Sequence, residues 1–396
     1  MDNRFFKSLP LLFLASRFIL LLSMSVEGLR GYGDFIHFYR LGRMGLPFLD
    51  LWVEFPPLFP FLSTLLAQLA GERQHVYDYL LVILLTLFDA GNIILFARLS
   101  GRVYTRGSGW LRALAYTVIL IPLAYGWWFF DPISVFFMLL GLYWLLAGRD
   151  YPAGVAISLG ALTKWFPALI LPLVWKLRPV KQALKISAFS IGWVILVYAG
   201  LYTASPSLTF ASLSSQGSKG SWETVWALLD GNLQTGNFGP EAERFDAGAA
   251  RLPRGEPARL PSWLTLIPFV VLGAWLWWKA HLQDDRGAVA FLGLTWCIFL
   301  LWSPGWSPQW VLYLLPLILL ALPEREALLL SLALVLINLL EWPVMLSRGY
   351  NWGLWLTIPV RTVLIVLLAV EFWKTITVPR KAERLVVEMV NTLEIH

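Results

Sequence analysis

The stretch GDFIHFYRLGRMGLPFLDLWVEFPPLFP, residues 33–60, is rich in charge and aromatic rings, whereas the runs on both sides of it are apolar. It holds a Pro56-Pro57 pair, which a helix interior does not accommodate. Because charge set against lipid is costly, such a stretch either lines a site or lies in an aqueous loop. An interfacial connector whose rings rest among lipid head groups is the alternative. Its ionisable residues include Asp34, His37, Arg40, Arg43, Asp50 and Glu54.

The composition is that of a polytopic membrane protein. Of the 396 residues, 58% are hydrophobic and 14% are charged, and the mean hydropathy is +0.65, whereas soluble domains are about 25% charged. The 22 tryptophans favour membrane–water interfaces, which suit a half-apolar ring. A net charge of +6 fits basic loops at the cytoplasmic ends of spans and indicates no nucleic-acid partner. The single cysteine, Cys297, excludes an intrachain disulfide.

Apolar runs predict about twelve transmembrane helices within residues 1–378, since roughly 20 residues cross a bilayer. Several runs are shorter, which indicates tilted, kinked or half-spanning helices. The first run shows no small-residue cleavage site, so we expect an uncleaved span with the N-terminus inside. The fold class is therefore an all-α polytopic bundle. The predicted spans are 8–26, 56–70, 77–97, 111–129, 133–147, 153–175, 183–202, 263–278, 288–302, 311–322, 327–344 and 354–373.

Positive charge predicts which helix ends face the cytoplasm. Basic residues gather between 176 and 185, between 279 and 286 and after 373, and strict alternation puts all three groups on one side. The loops 28–55 and 203–262 are then external. The arginines between Arg98 and Arg112 do not fit this charge rule, because strict alternation puts them outside. Either an early segment is a half-helix or this basic loop is external. The tail, 379–396, has the spacing of an amphipathic helix on the cytoplasmic surface.

The residues that could carry chemistry are carboxylates in the first loop and cations within apolar runs. The sequence shows no nucleotide-binding glycine loop, no nucleophile elbow and no histidine cluster. A carboxylate can deprotonate an attacking hydroxyl as a general base. A lysine or arginine can hold a phosphate and stabilise it as it leaves. Together with aromatic rings that stack on sugar or isoprenoid, these residues favour transfer from a phosphate ester.

Several short motifs, in matching order, resemble those of GT-C glycosyltransferases. Asp34, GLPFLD at 45–50 and EFPPL at 54–58 are similar to the first external loop of the polyprenyl-phosphate-mannose-dependent mannosyltransferases. These include GPI mannosyltransferase 1 and the phosphatidylinositol-mannoside enzymes. TKWFP at 163–167 and SPQW at 307–310 are similar to later motifs of that family. Phe48, Phe55 and Trp310 stand where the family has tyrosine, which keeps the stacking surface and removes the hydroxyl.

The resemblance implies a catalytic base, Asp34, and substrate-binding residues around it. Capping a helix is the competing role for Asp34 and Asp131, and Glu54 could instead stabilise a helix N-terminus. Lys164 and Arg361 lie in apolar spans and need an anion, either the donor phosphate or a structural carboxylate. No metal ligand is predicted. The predicted substrate-binding residues are Glu54, Asp50, Tyr39, His37, Asp131, Lys164, Trp306, Gln309 and Arg361.

The sequence thus predicts an integral membrane glycosyltransferase in the plasma (inner) membrane of a prokaryote, with its active site facing outside. The resemblance implies a polyprenyl-phosphate-linked sugar donor, in the first instance mannose, a lipid or glycan acceptor, and inversion at the anomeric carbon. No cofactor is predicted, and a requirement for a divalent metal stays open. Two alternatives also stay open: a transporter or flippase, which the intramembrane charges favour, and a non-catalytic assembly subunit of the same fold.

Overall fold

The computed structural model describes residues 4–236 and 239–377, and within them the chain is helical and forms no strand. The predicted all-α architecture is confirmed, whereas the predicted amphipathic tail at 379–396 lies outside the described residues. The helices are α1 Arg4–Leu22, α2 Val26–Arg30, α3 Phe35–Met44, α4 Leu58–Ala70, α5 Gln74–Val103, α6 Arg106–Leu120, α7 Tyr125–Trp128, α8 Asp131–Leu146, α9 Asp150–Thr163, α10 Leu171–Leu177, α11 Val180–Ala204, α12 Pro206–Ser214, α13 Val225–Asp230, α14 Ser262–Lys279, α15 Asp285–Trp302, α16 Val311–Ala321, α17 Glu324–Leu339 and α18 Leu354–Thr377.

Six of the described helical segments are long and apolar enough to cross a membrane. They are α5, α11, α14, α15 and the segments Glu324–Arg348 and Asn351–Thr377. Further apolar helices of 10–17 residues, such as α4 and α8, match the composition of a span but not the length of a full crossing. The structure therefore does not show the predicted count of about twelve spans.

The run 153–175, predicted as one span, folds as a helical hairpin. α9 ends just before Lys164, which takes an extended backbone conformation with φ −159° and ψ 141°. The chain then enters a 3-10 turn, Phe166–Ile170, that continues into α10. Asp150, at the start of α9, and Arg178, just after α10, form an ion pair of 2.8 Å between Oδ1 and Nε. The prediction of a single span is therefore wrong, because both arms of the hairpin open at the same end of the bundle.

Proline and glycine explain the turn of the hairpin. A proline has no backbone N–H to donate, which suits it to the first turn of a helix, and Pro167 lies in the first turn of the 3-10 segment Phe166–Ile170. Gly160 lets the arms close on each other, since a Cβ there would lie 2.6 Å from Cβ of Pro167. A hydropathy profile registers the two arms as one apolar run, which is why the sequence does not distinguish them.

The basic segment between α5 and α6 lies at the end of the bundle where α8 and α16 finish. Arg102 pairs with Asp285 at 2.9 Å and donates to the Leu146 carbonyl at 2.7 Å. Arg112 donates to the Leu319 carbonyl at 2.5 Å. We call this the basic end, and the opposite end, where α8 begins, the cavity end. Asp150 and Arg178 also lie at the basic end, so the basic loops share one side.

The short helix α4 explains why alternation misplaces those arginines. It was predicted to cross as 56–70, but it has 13 residues and stays at the cavity end. Phe59 stacks on Phe130 with ring centroids 3.9 Å apart, and the chain then turns at once into α5. Asn92 of α5 donates to the Pro132 carbonyl at 3.1 Å, so α5 runs past the start of α8 toward the basic end. A half-helix, the first alternative left open by the sequence, accounts for the position of the arginines.

The segment 205–261, of which 237–238 are not described, forms a cap on the cavity end that includes α12 and α13. Trp52 of the first loop connects to the cap through three hydrogen bonds. The Trp52 backbone N–H donates to the Arg244 carbonyl at 2.9 Å, and its indole N–H donates to the carbonyls of Glu243 and Asp246, also at 2.9 Å. The cap and the first loop therefore form one polar layer over the ends of the helices.

Replacing Gly160 with alanine tests how closely the hairpin arms pack. The new Cβ would meet the Pro167 ring at 2.6 Å, and a ring closed on its own backbone cannot swing away, so we expect a loss of about 1–3 kcal/mol of stability. Gly200→Ala on α11 is the matched control, because nothing lies within 4 Å of its Cβ position and alanine favours a helix by about 1 kcal/mol. Thermal unfolding in detergent should separate the two variants; equal midpoints would contradict this packing.

Candidate active site

A cavity of about 890 Å³ lies at the cavity end, between the first loop, the cap and the turn of the hairpin. Its lining combines charged side chains from segments that are far apart in the sequence with apolar ones. The apolar lining residues include Leu169, Pro172, Phe299 and Trp302. The charged lining residues are Asp34, Glu54, Asp131, Lys164 and Lys219.

Asp34 stands at the N-terminus of α3, but its carboxylate makes no capping hydrogen bond. The side chains of Ser25 and Asp284, by contrast, do cap α2 and α15. The Asp34 backbone N–H donates to the Trp128 carbonyl at 3.2 Å. A Cβ on Gly33 would lie 2.7 Å from that carbonyl, so glycine is needed for this close approach. Asp34 therefore does not cap α3 with its side chain, and it lines the cavity instead.

Burial raises the pKa of Asp34 to about 7. The charges of Lys164 and Lys219 oppose this rise, while the carboxylates of Asp131 and Glu54 add to it. General-base catalysis is most efficient when the pKa of the base lies near the working pH. The surroundings of Asp34 therefore suit a residue that takes up a proton during a reaction.

Lys164 occupies the turn of the hairpin and pairs with Asp131, the first residue of α8. Its Nζ lies 2.7 Å from Oδ1 of Asp131. The ammonium is also 5.2–5.8 Å from the ring centroids of Phe130, Phe166 and Trp310. Its side chain is 12% exposed, against 1% for Asp131. The lysine thus has a structural carboxylate and still faces the cavity, so the two roles weighed for it are compatible.

Glu54 forms a bidentate ion pair with Arg244 of the cap, with N–O distances of 2.5 and 3.0 Å and both side chains buried. Burial would raise the pKa of Glu54, but the charges of Arg244 and Lys219 and the hydrogen bonds from Arg244 hold that pKa below its ordinary value. The guanidinium also lies 4.1 Å above the Trp52 ring, and Gln216 donates to the Glu54 carbonyl. This pair ties the cap to the first loop at the cavity wall.

Lys219 of the cap is a second lysine of the cavity, and the sequence did not single it out. Its neighbours fix its backbone: Gly220 N–H donates to the Arg254 carbonyl at 2.6 Å, and Arg254 N–H donates to the Ser218 carbonyl at 3.0 Å. Burial lowers the pKa of Lys219, and the Glu54 carboxylate opposes that change. Lys219 lies between Ser218 and Gly220 in a Ser- and Gly-rich loop, and a hydropathy profile does not distinguish it.

Three predicted residues of the first loop and α3 lie outside the cavity lining. The Tyr39 hydroxyl donates to a backbone carbonyl at 2.8 Å, and Asp50 Oδ2 accepts from the Leu46 N–H at 2.8 Å. His37 Nδ1 lies 4.0 Å from Oε1 of Glu241 in the cap, and burial, the largest effect, lowers the pKa of His37. These contacts shape the loop and its junction with the cap, and a substrate-binding role for the three residues stays a prediction.

Gln309 lines the cavity, whereas Trp306 and Arg361 are buried away from its lining. The Trp306 indole donates to Oδ1 of Asn338 at 2.8 Å. Arg361 pairs with the buried Glu341, donates to a backbone carbonyl of the cap and lies 4.8 Å above the Trp306 ring. A structural carboxylate therefore meets the need of Arg361 for an anion.

In the part of the chain that the structure describes, no three His, Cys, Asp or Glu side chains are grouped to hold a metal ion. Asp131 and Glu54 share the cavity with Asp34, but each is already paired with a cation. That the site has no metal ligand stays a prediction.

The fold and cavity define a class: a helical membrane protein in which a carboxylate of raised pKa shares a recessed site with two lysines. The chain belongs to glycosyltransferase family 87, whose model matches residues 52–304, more than half of its length. It is therefore a membrane glycosyltransferase. No curated protein sequence matches the chain.

Among solved structures, the chain is similar to the oligosaccharyltransferase of Archaeoglobus fulgidus in its apo form, with 12% sequence identity and a TM-score of 0.46. The alignment covers 96% of this chain and 57% of that protein, so the chain spans little more than half of its length. A likeness at this level says nothing about donor or acceptor.

Replacing Arg244 with methionine tests the tie between the cap and the first loop. The change leaves Glu54 buried without its bidentate partner, which commonly costs about 3–5 kcal/mol, so the protein should unfold at a lower temperature. Pairing Arg244→Met with Glu54→Gln removes the stranded charge and should recover most of the loss. Arg40→Met is the control, because Arg40 is 59% exposed and its contact with Glu241 should contribute little. A single variant as stable as the parent would show that other contacts hold the cap.

Proposed function

We propose that this protein transfers mannose from a polyprenyl-phosphate donor to a hydroxyl of a lipid or glycan acceptor, with inversion at the anomeric carbon. The observation that carries the proposal is that charged and apolar side chains line the same cavity, among them Asp34, Lys164 and Leu169. A lipid-linked sugar phosphate combines the same two characters, with a polar head and an apolar tail. The choice of mannose rests on the resemblance of GLPFLD, EFPPL, TKWFP and SPQW to the motifs of the GT-C mannosyltransferases.

In this proposal Asp34 is the general base. The acceptor hydroxyl attacks the anomeric carbon, its proton passes to the Asp34 carboxylate, and the bond between that carbon and the phosphate oxygen breaks. A single displacement of this kind inverts the configuration. The raised pKa of Asp34 supports the assignment, because a base with a pKa of about 7 holds the transferred proton better than an ordinary carboxylate. The phosphate leaves with the electron pair of the broken bond.

The two lysines of the cavity are proposed to hold the donor phosphate. Lys164 reaches the cavity from the hairpin and Lys219 from the cap, so a phosphate between them would be bound from two sides. Charge-assisted hydrogen bonds to the phosphate stabilise it as negative charge develops on it. Of the two cations predicted from the sequence, Lys164 lines the cavity, while Arg361 is paired with Glu341 outside the lining.

The cavity is proposed to face the extracytoplasmic side of a prokaryotic plasma (inner) membrane. The arginines Arg102, Arg112 and Arg178 lie at the basic end, which the bias of positive charge toward the cytoplasm assigns to the inside. The first loop, the cap and Asp34 are at the opposite end. Donor and acceptor would then meet outside the cytoplasm.

Replacing Asp34 with asparagine should lower the turnover of sugar transfer by about 10²–10⁴-fold, because an amide cannot accept the hydroxyl proton. The rate of the parent protein should rise with pH through a midpoint near 7, since only the ionised form of Asp34 is a base and its pKa is about 7. The residual rate of the variant should lack that step. Assays in sealed membrane vesicles of both orientations would measure the rate and the side at which the donor is used.

Asp50→Asn is the matched control, because it is the same change in the same loop at a carboxylate that accepts from the Leu46 N–H outside the cavity lining. Turnover near the parent value in Asp34→Asn, or equal losses in both variants, would remove Asp34 from the mechanism. Activity only in vesicles that expose the cytoplasmic face would overturn the proposed orientation.

Replacing Lys164 with methionine tests the phosphate site, but the change alone leaves Asp131 buried without its partner. The double variant Lys164→Met with Asp131→Asn removes both charges. We expect it to unfold near the parent temperature while its Kd for the donor rises about tenfold or more, the loss of a charge-assisted hydrogen bond. Its Kd for the acceptor should change little. Donor binding equal to that of the parent would leave Lys164 a structural partner of Asp131 only.

A further inference from the structure

A second cavity, of about 420 Å³, lies between α10 and α14. Every residue that lines it is apolar or aromatic: Pro172, Trp175, Val270, Gly273, Ala274 and Trp277. The Val270 side chain is 55% exposed, and only 6% of α14 is buried. This α10–α14 groove therefore opens toward the lipid of the bilayer rather than into the protein core.

The groove adjoins the catalytic cavity. Pro172 lines both, and Leu169, three residues before it, lines the catalytic cavity. Two hydrogen bonds fix the far wall of the groove. The Trp277 indole donates to the Pro172 carbonyl at 3.0 Å, and Lys176 Nζ donates to the Trp277 carbonyl at 2.7 Å. The groove is thus a space of fixed shape next to the site and not a gap between loosely placed helices.

We propose that the α10–α14 groove holds the isoprenoid tail of the donor, in the part of the tail that lies beyond the first isoprene units. The inference rests on the proposed function, because it takes the donor to be lipid-linked. The inference adds the position of the tail, which lies between α10 and α14. An isoprenoid chain is wholly apolar, and so is the lining of the groove.

The order of residues along the hairpin favours the donor tail over an acyl chain of the acceptor. A phosphate at Lys164 sits where the 3-10 turn begins, and the chain from there passes Leu169 and Pro172 before it reaches Trp175 in the groove. With rises of about 2.0 Å per 3-10 residue and 1.5 Å per α residue, that path is roughly 18 Å long. In a single displacement the attacking hydroxyl approaches the anomeric carbon opposite the leaving phosphate, so the acceptor lipid is directed away from the phosphate and from the tail attached to it.

Filling the groove at Gly273 tests the inference. The Gly273 Cβ position has only Ile298 nearby, at 4.0 Å, so Gly273→Leu adds volume to the groove without a backbone clash. Transfer should be measured with two donors of the same head group, one with a long polyprenyl tail and one with a tail of two isoprene units. Gly192→Leu on α11 is the matched control, because nothing lies within 4 Å of its Cβ position and it does not line the groove.

We expect Gly273→Leu to lower kcat/KM for the long-tailed donor about tenfold, the equivalent of roughly two buried methylene groups. The short-tailed donor, and both donors with Gly192→Leu, should be used as by the parent. If Gly273→Leu uses the long-tailed donor as well as the parent does, the tail lies elsewhere and the proposed function still stands. If the parent uses neither donor, the proposed function fails and this inference fails with it. Equal losses with both donors would mean that the leucine perturbs the catalytic cavity and would overturn the tail assignment.

Discussion

The constraint on which this structure depends is that a chain leaving helical geometry at membrane depth must satisfy its freed backbone groups away from lipid. α9 has 14 residues, about 21 Å, against about 30 Å for the hydrocarbon core, so the hairpin turns before it reaches the far surface. The extended residue at the turn, Lys164, lines a cavity and pairs with Asp131. The break in the helix therefore lies at the cavity and supplies one of its charged residues. The first loop and the cap cover the cavity.

Composition and hydropathy were enough to predict a helical membrane protein, but not how each apolar run lies. The prediction treated α4 as a transmembrane crossing, but α4 stays at the cavity end. It also treated α9 and α10 as one crossing, but they form a hairpin that returns to the basic end. The two errors cancel, which is why the loops after the hairpin keep their predicted common side. Hydropathy measures how much apolar residue a run contains, whereas its direction depends on contacts such as those of Phe59 with Phe130 and Asp150 with Arg178.

The predicted site residues that line the cavity are Asp34, Glu54, Asp131, Lys164 and Gln309. Tyr39 and His37 follow Asp34 closely, but they lie on α3, where side chains point in turn around the axis, so nearness in sequence did not bring them to the cavity. The sequence analysis missed Arg244 and Lys219, because only the fold of the cap brings Arg244 to Glu54 and Lys219 to the cavity. A motif identifies the kind of residue a site needs, and the contacts between distant segments complete the set.

The two long helices that carry the cap, α11 and α14, have only 17% and 6% of their apolar stretches buried within the protein. Their tilt is therefore set largely by hydrophobic matching to the surrounding lipid rather than by packing against neighbours. Asp34 and Asp131, by contrast, line the cavity from the starts of α3 and α8, which pack in the main core. A thicker or thinner bilayer consequently acts on one side of the site through α11 and α14 and much less on the other, so the lipid composition of the membrane becomes a variable of the reaction itself.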